Sequence, residues 1–392
     1  ERGAELAGAA GLGNARVEVG DVIEAAEDMQ GEYDYVIAHG LYSWVPEPVR
    51  KATLKLIARV LAPEGIAFVS YNALPGGHLR QAVRDMLLHH VRDIHDPEAR
   101  VAGARAALQE FASPRPTDRP ALSGLRQIAE PMLKKNAGSL YHDELSDHYA
   151  PQALADVVAA AAAHGLAFLN DAMPPMIYDG LPGADGSDAE IVHAAQADDY
   201  AVLAFFHQTL LIRAGRPTSR RLDPARLAGL FIASNVRRTG ETSFVAGDRE
   251  FELDDGELAD FLEALSGAWP DRVPVPGFAA EQEKADALIR LYQAEALSLH
   301  ALPLPGCRTA GERPCASPLA RAQIAAGAPL LFTLDQRMLA FVEPGPRAFL
   351  SLLDGTRDRA QLAAEWAESG FGDQISVDDA LAQLARAGML VG

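Results

Sequence analysis

Residues 33 to 46, YDYVIAHGLYSWVP, place a histidine, a glycine and two large aromatics directly after a strand-like run. A connecting loop more often carries small polar residues. His39 offers a titratable imidazole, Gly40 lets a ligand approach the backbone, and Tyr42 and Trp44 offer aromatic faces. Two other stretches are equally dense: GDVIE, with Asp21, and YNALPGG, with Tyr71 and Asn72. Asp21 presents an acceptor beside backbone donors, as adenine or ribose requires. Tyr42, Trp44 and Tyr71 around one cleft favour a cationic group such as a sulfonium or alkylammonium, worth about 0.5–2 kcal/mol per ring. Taken singly, each has a plainer role: aromatics cap cores, a histidine bonds structurally, and an aspartate caps a turn or helix. Their joint position at three strand ends carries the expectation of a site.

Those loops need elements to hold them. Residues 1–14 read as the end of a helix, ARVEVGD as a short strand, YDYVIAH as a second and GIAFVSYN as a third. Between the last two, PEPVRKATLKLIARVL reads as a helix with Val49, Leu56, Ile57 and Val60 on one face. Strand, helix and strand make a right-handed βαβ unit, and ligands bind beyond the carboxyl ends of such strands. From Gly77 the pattern is helical for about seventy residues, broken by SPRPTDRP. Strands near 166–172 and 204–213 then resume the same sheet. RRTGETSFVAGDREFEL is a hairpin with turns at Thr239-Gly240 and Gly247-Asp248. The last helices, through SVDDALAQLARAG, form a small winged-helix-like unit. The expected domains are 1–78 (α/β core), 79–147 (helical insertion), 148–215 (end of the sheet), 216–300 (a middle α+β domain) and 301–392.

The chain has 392 residues, a net charge of -19 and 48% hydrophobic residues, the profile of a multidomain globular protein. So acidic a chain argues against nucleic acid and anionic membranes as partners, and no run is apolar and long enough to span a bilayer. Cys307 and Cys315 are the only cysteines, too few for a disulfide framework or a zinc set, which fits a cytoplasmic protein. HHVRDIHD and YHDELSDHY cluster histidines and acids, but solvated helix ends account for both, so no metal is expected. GAAGLG at 8–13 follows a helix and precedes a strand, the wrong order for a cofactor cradle.

VGDV, YDYVIAHGLYSWVP and LAPEGIAFVSYNALPGGHLRQAVRDML together resemble the second half of a class I S-adenosylmethionine-dependent methyltransferase with its Rossmann-like sheet. With LYHDELSDHYAPQALADVV, FFHQTLLIR, ERPCASPLAR and LLDGTRDRAQLA, the chain resembles bacterial methyltransferases carrying a methyltransferase regulatory domain. It is similar to the rickettsial protein-lysine methyltransferases, which implies S-adenosylmethionine as cofactor, lysine amines of proteins as acceptors and a homodimer. By position, Asp21 and Val22 would meet the adenine, and His39 and Gly40 the methionine side. Tyr42, Trp44, Tyr71 and Asn72 would face the acceptor. His207 stands where the family more often has arginine. The family's glycine-rich loop and ribose-binding acid would precede Glu1. The resemblance therefore implies an N-terminally truncated chain that exposes an apolar edge at the 34–38 strand and binds the donor weakly or not at all.

Methyl transfer from a sulfonium is an in-line displacement, in which the protein positions donor and acceptor and excludes water. A lysine acceptor must first lose its proton, and His39 or Tyr71 are the catalytic candidates to relay it. Two other readings stand beside this one: a small-molecule methyltransferase with the added modules as a lid, and a non-catalytic regulatory protein on a degenerate methyltransferase fold. The winged-helix-like end, whose recognition-helix candidate carries two aspartates and one arginine, suits a partner or substrate better than DNA.

Overall fold

In a computed structural model, the protein is described for residues 2–113, 121–177, 180–182, 188–372 and 375–391. It divides into two compact units, one of residues 20–222 and one of residues 1–19 with 223–392. No helix among the described residues is long and apolar enough to cross a membrane.

The first unit is built on a four-stranded sheet of β1 (Tyr33–Ala38), β2 (Leu61–Asn72), β3 (Leu166–Asp171) and β4 (Phe206–Arg213), in the order β1-β2-β4-β3. β1 and β2 are parallel, with Val36 opposite Ala67 and Ala38 opposite Val69. β4 runs antiparallel to both of its neighbours. The strands expected near 166–172 and 204–213 thus lie in one sheet with the first two, beyond a helical stretch of the chain.

Helix α1 (Arg2–Ala9) belongs with the second unit, whereas α2 (Val22–Asp28) and α3 (Glu47–Val60) belong with the sheet. α3 starts behind Pro46 with Pro48 in its first turn, where a missing N–H costs nothing. It buries Leu54, Ile57 and Val60; Leu54, rather than Leu56, shares that face. Leu54 and Ile57 pack with Leu61, Val69, Leu166 and Leu211 of the sheet and Val157 of α8 (Leu154–Ala162) into one core. Between β2 and α8 stand α4 (Gly76–His90), α5 (Pro97–Ala112), α6 (Ala121–Leu133) and α7 (Ala137–Leu145), around Val83, Leu87, Leu108, Met132 and Leu140. The breaker between α5 and α6 falls at 113–120, of which 114–120 lie outside the described residues. α9 (Asp188–Val202) precedes β4.

The strand expected from ARVEVGD does not form. Residues 15–20 are irregular, with Val19 96% exposed. The alternation of Val17 and Val19 imitates a strand, but alternation without a neighbouring strand leaves the backbone unpaired. Asp21 ends this segment by capping α2.

In the second unit, β5 (Phe231–Ala233) lies between β9 (Val273–Pro274) and β10 (Ser298–His300). β6 (Arg237–Arg238), β7 (Ser243–Ala246) and β8 (Arg249–Glu252) form the hairpin region, turning at Gly247 with φ +60°. α10 (Gly256–Ala268) and α11 (Gln282–Gln293) follow them. The C-terminal module comprises α12 (Pro318–Ala325), β11 (Leu330–Phe332), β12 (Met338–Ala340), α13 (Pro344–Leu352), α14 (Arg359–Glu368) and α15 (Val377–Arg386). Its core gathers Leu331, Phe349, Leu350, Trp366, Leu381 and Met389.

Candidate active site

At the end of β1 the chain turns through Gly40, whose φ of +65° suits glycine. The Gly40 N–H donates to the Ser70 hydroxyl (2.9 Å), and that hydroxyl lies 3.2 Å from His39 Nδ1. One serine of β2 thereby fastens the turn that follows β1. His39 and Gly40 remain exposed. Asp21, also exposed, accepts from the Ile23 N–H (2.6 Å), and Val22 is the first residue of the helix it caps.

Tyr42 and Tyr71 do not face a cleft. They are 3% and 1% exposed, with ring centroids 6.0 Å apart in the sheet core. The Tyr71 hydroxyl bonds to Thr209 Oγ1 (2.8 Å) on β4. Burial pushes the Tyr42 phenol up against a smaller downward pull from Arg50. The reason is the position of β2 between β1 and β4: its end is covered by the Tyr42–Trp44 turn and by β4. Ser43 completes that cover by accepting from the Asn72 N–H (2.8 Å). Tyr71 is thus shut away from solvent.

Trp44 is half-buried, with His142 and Tyr149 each 5.3 Å away ring to ring. Arg80 lies 5.5 Å over Trp44 and 5.4 Å over Tyr149. Arg84, one turn along α4, lies 4.6 Å over Tyr149. Arg80 also donates to Asn72 Oδ1 (2.8 Å) and Glu144 Oε1 (2.7 Å), while Lys135 donates to Glu144 (2.7 Å) and Asp143 (2.6 Å). Arg84 is buried and donates to the carbonyls of Asp143 and Ser146. Burial pushes Arg84 down against the upward pull of Glu144, and pushes the Tyr149 phenol up to about 12 against Arg80 and Arg84. Burial would raise Asp143, but Lys135 and His142 hold it low.

Trp44 and Asn72 are therefore joined, through Arg80, to the helices of the insertion. Sequence reading missed Arg80, Arg84, Lys135, Asp143 and Glu144. The available signals were two arginines four apart in GHLRQAVR and the acids of YHDELSDHY, which look like solvated helix ends until α4 and α7 are packed together. Among the described residues no group of three or more His, Cys, Asp or Glu side chains could hold a metal ion.

A second buried polar group lies across the sheet. His207, opposite Tyr71 in the β2–β4 pairing, is 0% exposed. Its Nδ1 is 2.9 Å from Asp171 Oδ2, and its Nε2 is 3.1 Å from the Asp199 carboxylate. Burial alone would lower the imidazole, but the two carboxylates outweigh it and hold the pKa at about 9.

A sulfonium nucleoside needs an open strand end with approachable backbone. His39 and Gly40 meet that need. The glycines at the head of α4 do not: a Cβ on Gly76 would fall 2.6 Å from the Ala204 carbonyl, and one on Gly77 2.4 Å from Pro151. Those glycines serve packing, so the fit to such a donor rests on the turn after β1.

Residues 312–388 match the family model described as PKMT, C-terminal winged helix domain. The uncharacterised Rickettsia prowazekii protein RP789 is 30% identical over 221 residues, covering 54% of this chain and 39% of that protein. RP028 of the same organism is 38% identical over 77 residues, 20% of this chain and 30% of its own length. The chain thus spans less than half the length of the curated relatives it matches. Among solved structures, PKMT2 from Rickettsia typhi matches with a TM-score of 0.81 at 20% identity, over 100% of this chain and 87% of that one. The same protein in complex with AdoHcy gives a TM-score of 0.81 at 21% identity and the same coverage. At such identity the likeness establishes a shared fold.

Proposed function

We propose that this chain works as an S-adenosylmethionine-dependent methyltransferase that modifies lysine amines of proteins. The observation that carries the reading is the likeness of its whole fold to PKMT2, a protein also solved with AdoHcy, the product left when that donor gives up its methyl. The match of residues 312–388 to a PKMT domain supports the same reading.

When bound, the donor supplies an electrophilic methyl group. The chain's own residues orient and shield. Gly40, locked to Ser70, presents backbone at the end of β1, and exposed His39 takes the proton that the lysine must lose before its lone pair attacks. Trp44, held by Arg80 and Tyr149, forms the acceptor-side wall. Tyr42 and Tyr71 support that wall from the core. Asp21 and Val22 remain the adenine-side candidates. We place the protein in the cytoplasm, as a homodimer with a protein substrate.

The test is methyl transfer by protein purified from its own host, using donor labelled on the methyl and a lysate of that host. Label mapped by mass spectrometry to lysine Nζ supports the proposal. Label found only in small molecules would replace it with the small-molecule reading.

A further inference from the structure

In the second unit, β6, β7 and β8 form a sheet in that order, so β8 is an edge. The register decides which of its backbone groups are open. The Ser243 carbonyl of β7 accepts from the Thr239 N–H on the β6 side, and the Leu253 N–H beyond β8 donates to the Thr242 carbonyl. Hydrogen-bonded pairs recur at every second residue of an antiparallel ladder. Arg249 and Phe251 therefore bond to Ala246 and Phe244, and the N–H and C=O groups of Glu250 and Glu252 point away from β7. Among the described residues those groups have no partner. Beside them, between β8 and α11, lies a cleft of about 320 Å³. All four residues of β8 wall it on one side, and Ala287, Arg290, Leu291 and Ala294 wall it on the other.

The same strand carries an acid at every second position. Glu250 and Glu252 share one face of β8, about 7 Å apart, and Asp248 and Asp254 continue the spacing at either end. All four are exposed, and none forms an ion pair among the described residues. Arg237, in line with Glu250 on β6, is two strands and about 10 Å away, too far to pair with it. Arg249 lies on the other face and is bound to Glu295. An acidic row alone is ordinary protection of a sheet edge. This edge differs in facing a cleft whose helix side, at Ala287 and Ala294, is small enough to admit another backbone. A second copy is a poor occupant, because pairing β8 with itself would set its carboxylate rows against each other. A basic strand would meet them favourably.

We infer that the edge of β8 docks an extended polypeptide segment as an added strand, with basic residues over Glu250 and Glu252. The alternate residues are apolar and enter the cleft beside Phe251, where the unpaired Arg290 disfavours a further cation. The claim is one of binding and holds whether or not the chain transfers methyl groups.

A fluorescein-labelled peptide of alternating lysine and valine serves as the probe, with a glutamate-valine peptide as its control. Fluorescence anisotropy should show saturable binding of the lysine peptide alone. Only alternate amides of an added strand face its neighbour. Of the two alternately N-methylated forms of the lysine peptide, one should therefore bind as the parent does and the other at least about tenfold more weakly. The surface variant Glu250→Lys, Glu252→Lys should lose the lysine peptide while keeping its circular dichroism spectrum, and Ala287→Phe, which fills the cleft, should lose it too. No saturable binding, equal binding of both N-methylated forms, or binding that survives Glu250→Lys, Glu252→Lys would overturn the inference. So would self-association, read by sedimentation, that Ala287→Phe abolishes, because the cleft would then hold a second copy.

Discussion

His207 shows how one residue type sets a pH dependence. Its folded-state pKa of about 9 lies above the unfolded value near 6.5, because Asp171 and Asp199 hold the proton that burial would expel. The stabilisation is complete below pH 6.5, shrinks as the pH climbs towards 9, and is lost above it. By linkage it amounts to about 3 kcal/mol. His207→Gln should therefore lower stability by about that amount at pH 6 and by much less at pH 10, as read from urea midpoints. An equal loss at both values would show that packing, not charge, is what His207 provides. His207→Arg should restore stability at pH 10 if the site accepts the larger cation. The sequence drew attention to His207 as an oddity in FFHQTLLIR, but it concealed the partners. Asp171 and Asp199 lie 36 and 8 residues away, and only the antiparallel pairing of β3 with β4, together with the return of α9, brings them together.

At the scale of elements, the insertion α4–α7 is tied to the sheet by charge as well as by apolar packing. Glu144 is fully buried and accepts from Arg80 and Lys135. Glu144→Gln would leave two cations short of their counter-charge in a poorly hydrated place and should cost about 3 kcal/mol, measurable by denaturant unfolding; a loss below about 1 kcal/mol would mean that solvent reaches the cluster. At the other end of the sheet, β1 is paired, among the described residues, only with β2, and Tyr35 and Ile37 are 74% and 69% exposed. Unprotected apolar edges recruit other strands, so Ile37→Lys should reduce light scattering at high protein concentration without lowering the unfolding midpoint. Unchanged scattering would show that the edge is not where copies associate. The elements that were legible beforehand are those whose periodicity persists over a buried face, such as α3, β2 and β4. Residues 16–19 misled because alternation is visible in a sequence and a missing neighbour is not. Tyr42 and Tyr71 misled for a related reason: the sequence placed them at strand ends, but which ends are roofed depends on β4 and the Tyr42–Trp44 turn.

Across the whole molecule, charge separates what the C-terminal module can bind from what its shape suggests. Winged helices often present a helix to the DNA major groove, where affinity depends on neutralising phosphates with unpaired cations. Residues 312–388 contain seven arginines and no lysine, against ten aspartates and glutamates. Several of those arginines are already engaged: Arg357 with Asp354 and Glu365, Arg359 with Asp378, Arg337 with Asp335, and Arg347 with the carbonyls of Ala328 and Phe341. α15, the helix that would enter a groove, begins with Asp378 and Asp379 behind its Ser376 cap and has one arginine in its last turn. Its buried face, Leu381, Leu384 and Ala385, is committed to the module's own core. Bringing that surface to a polyphosphate would cost repulsion and release few counterions, whereas a basic polypeptide would meet it favourably. Fluorescent duplex DNA titrated with this chain at about 0.15 M salt should therefore show no saturable binding up to roughly 100 μM, the weak end of ordinary non-specific affinities. Binding of lysine-rich protein should instead weaken steadily as salt is raised. Micromolar DNA binding that disappears on Arg386→Glu would overturn this assignment and make α15 a recognition helix after all.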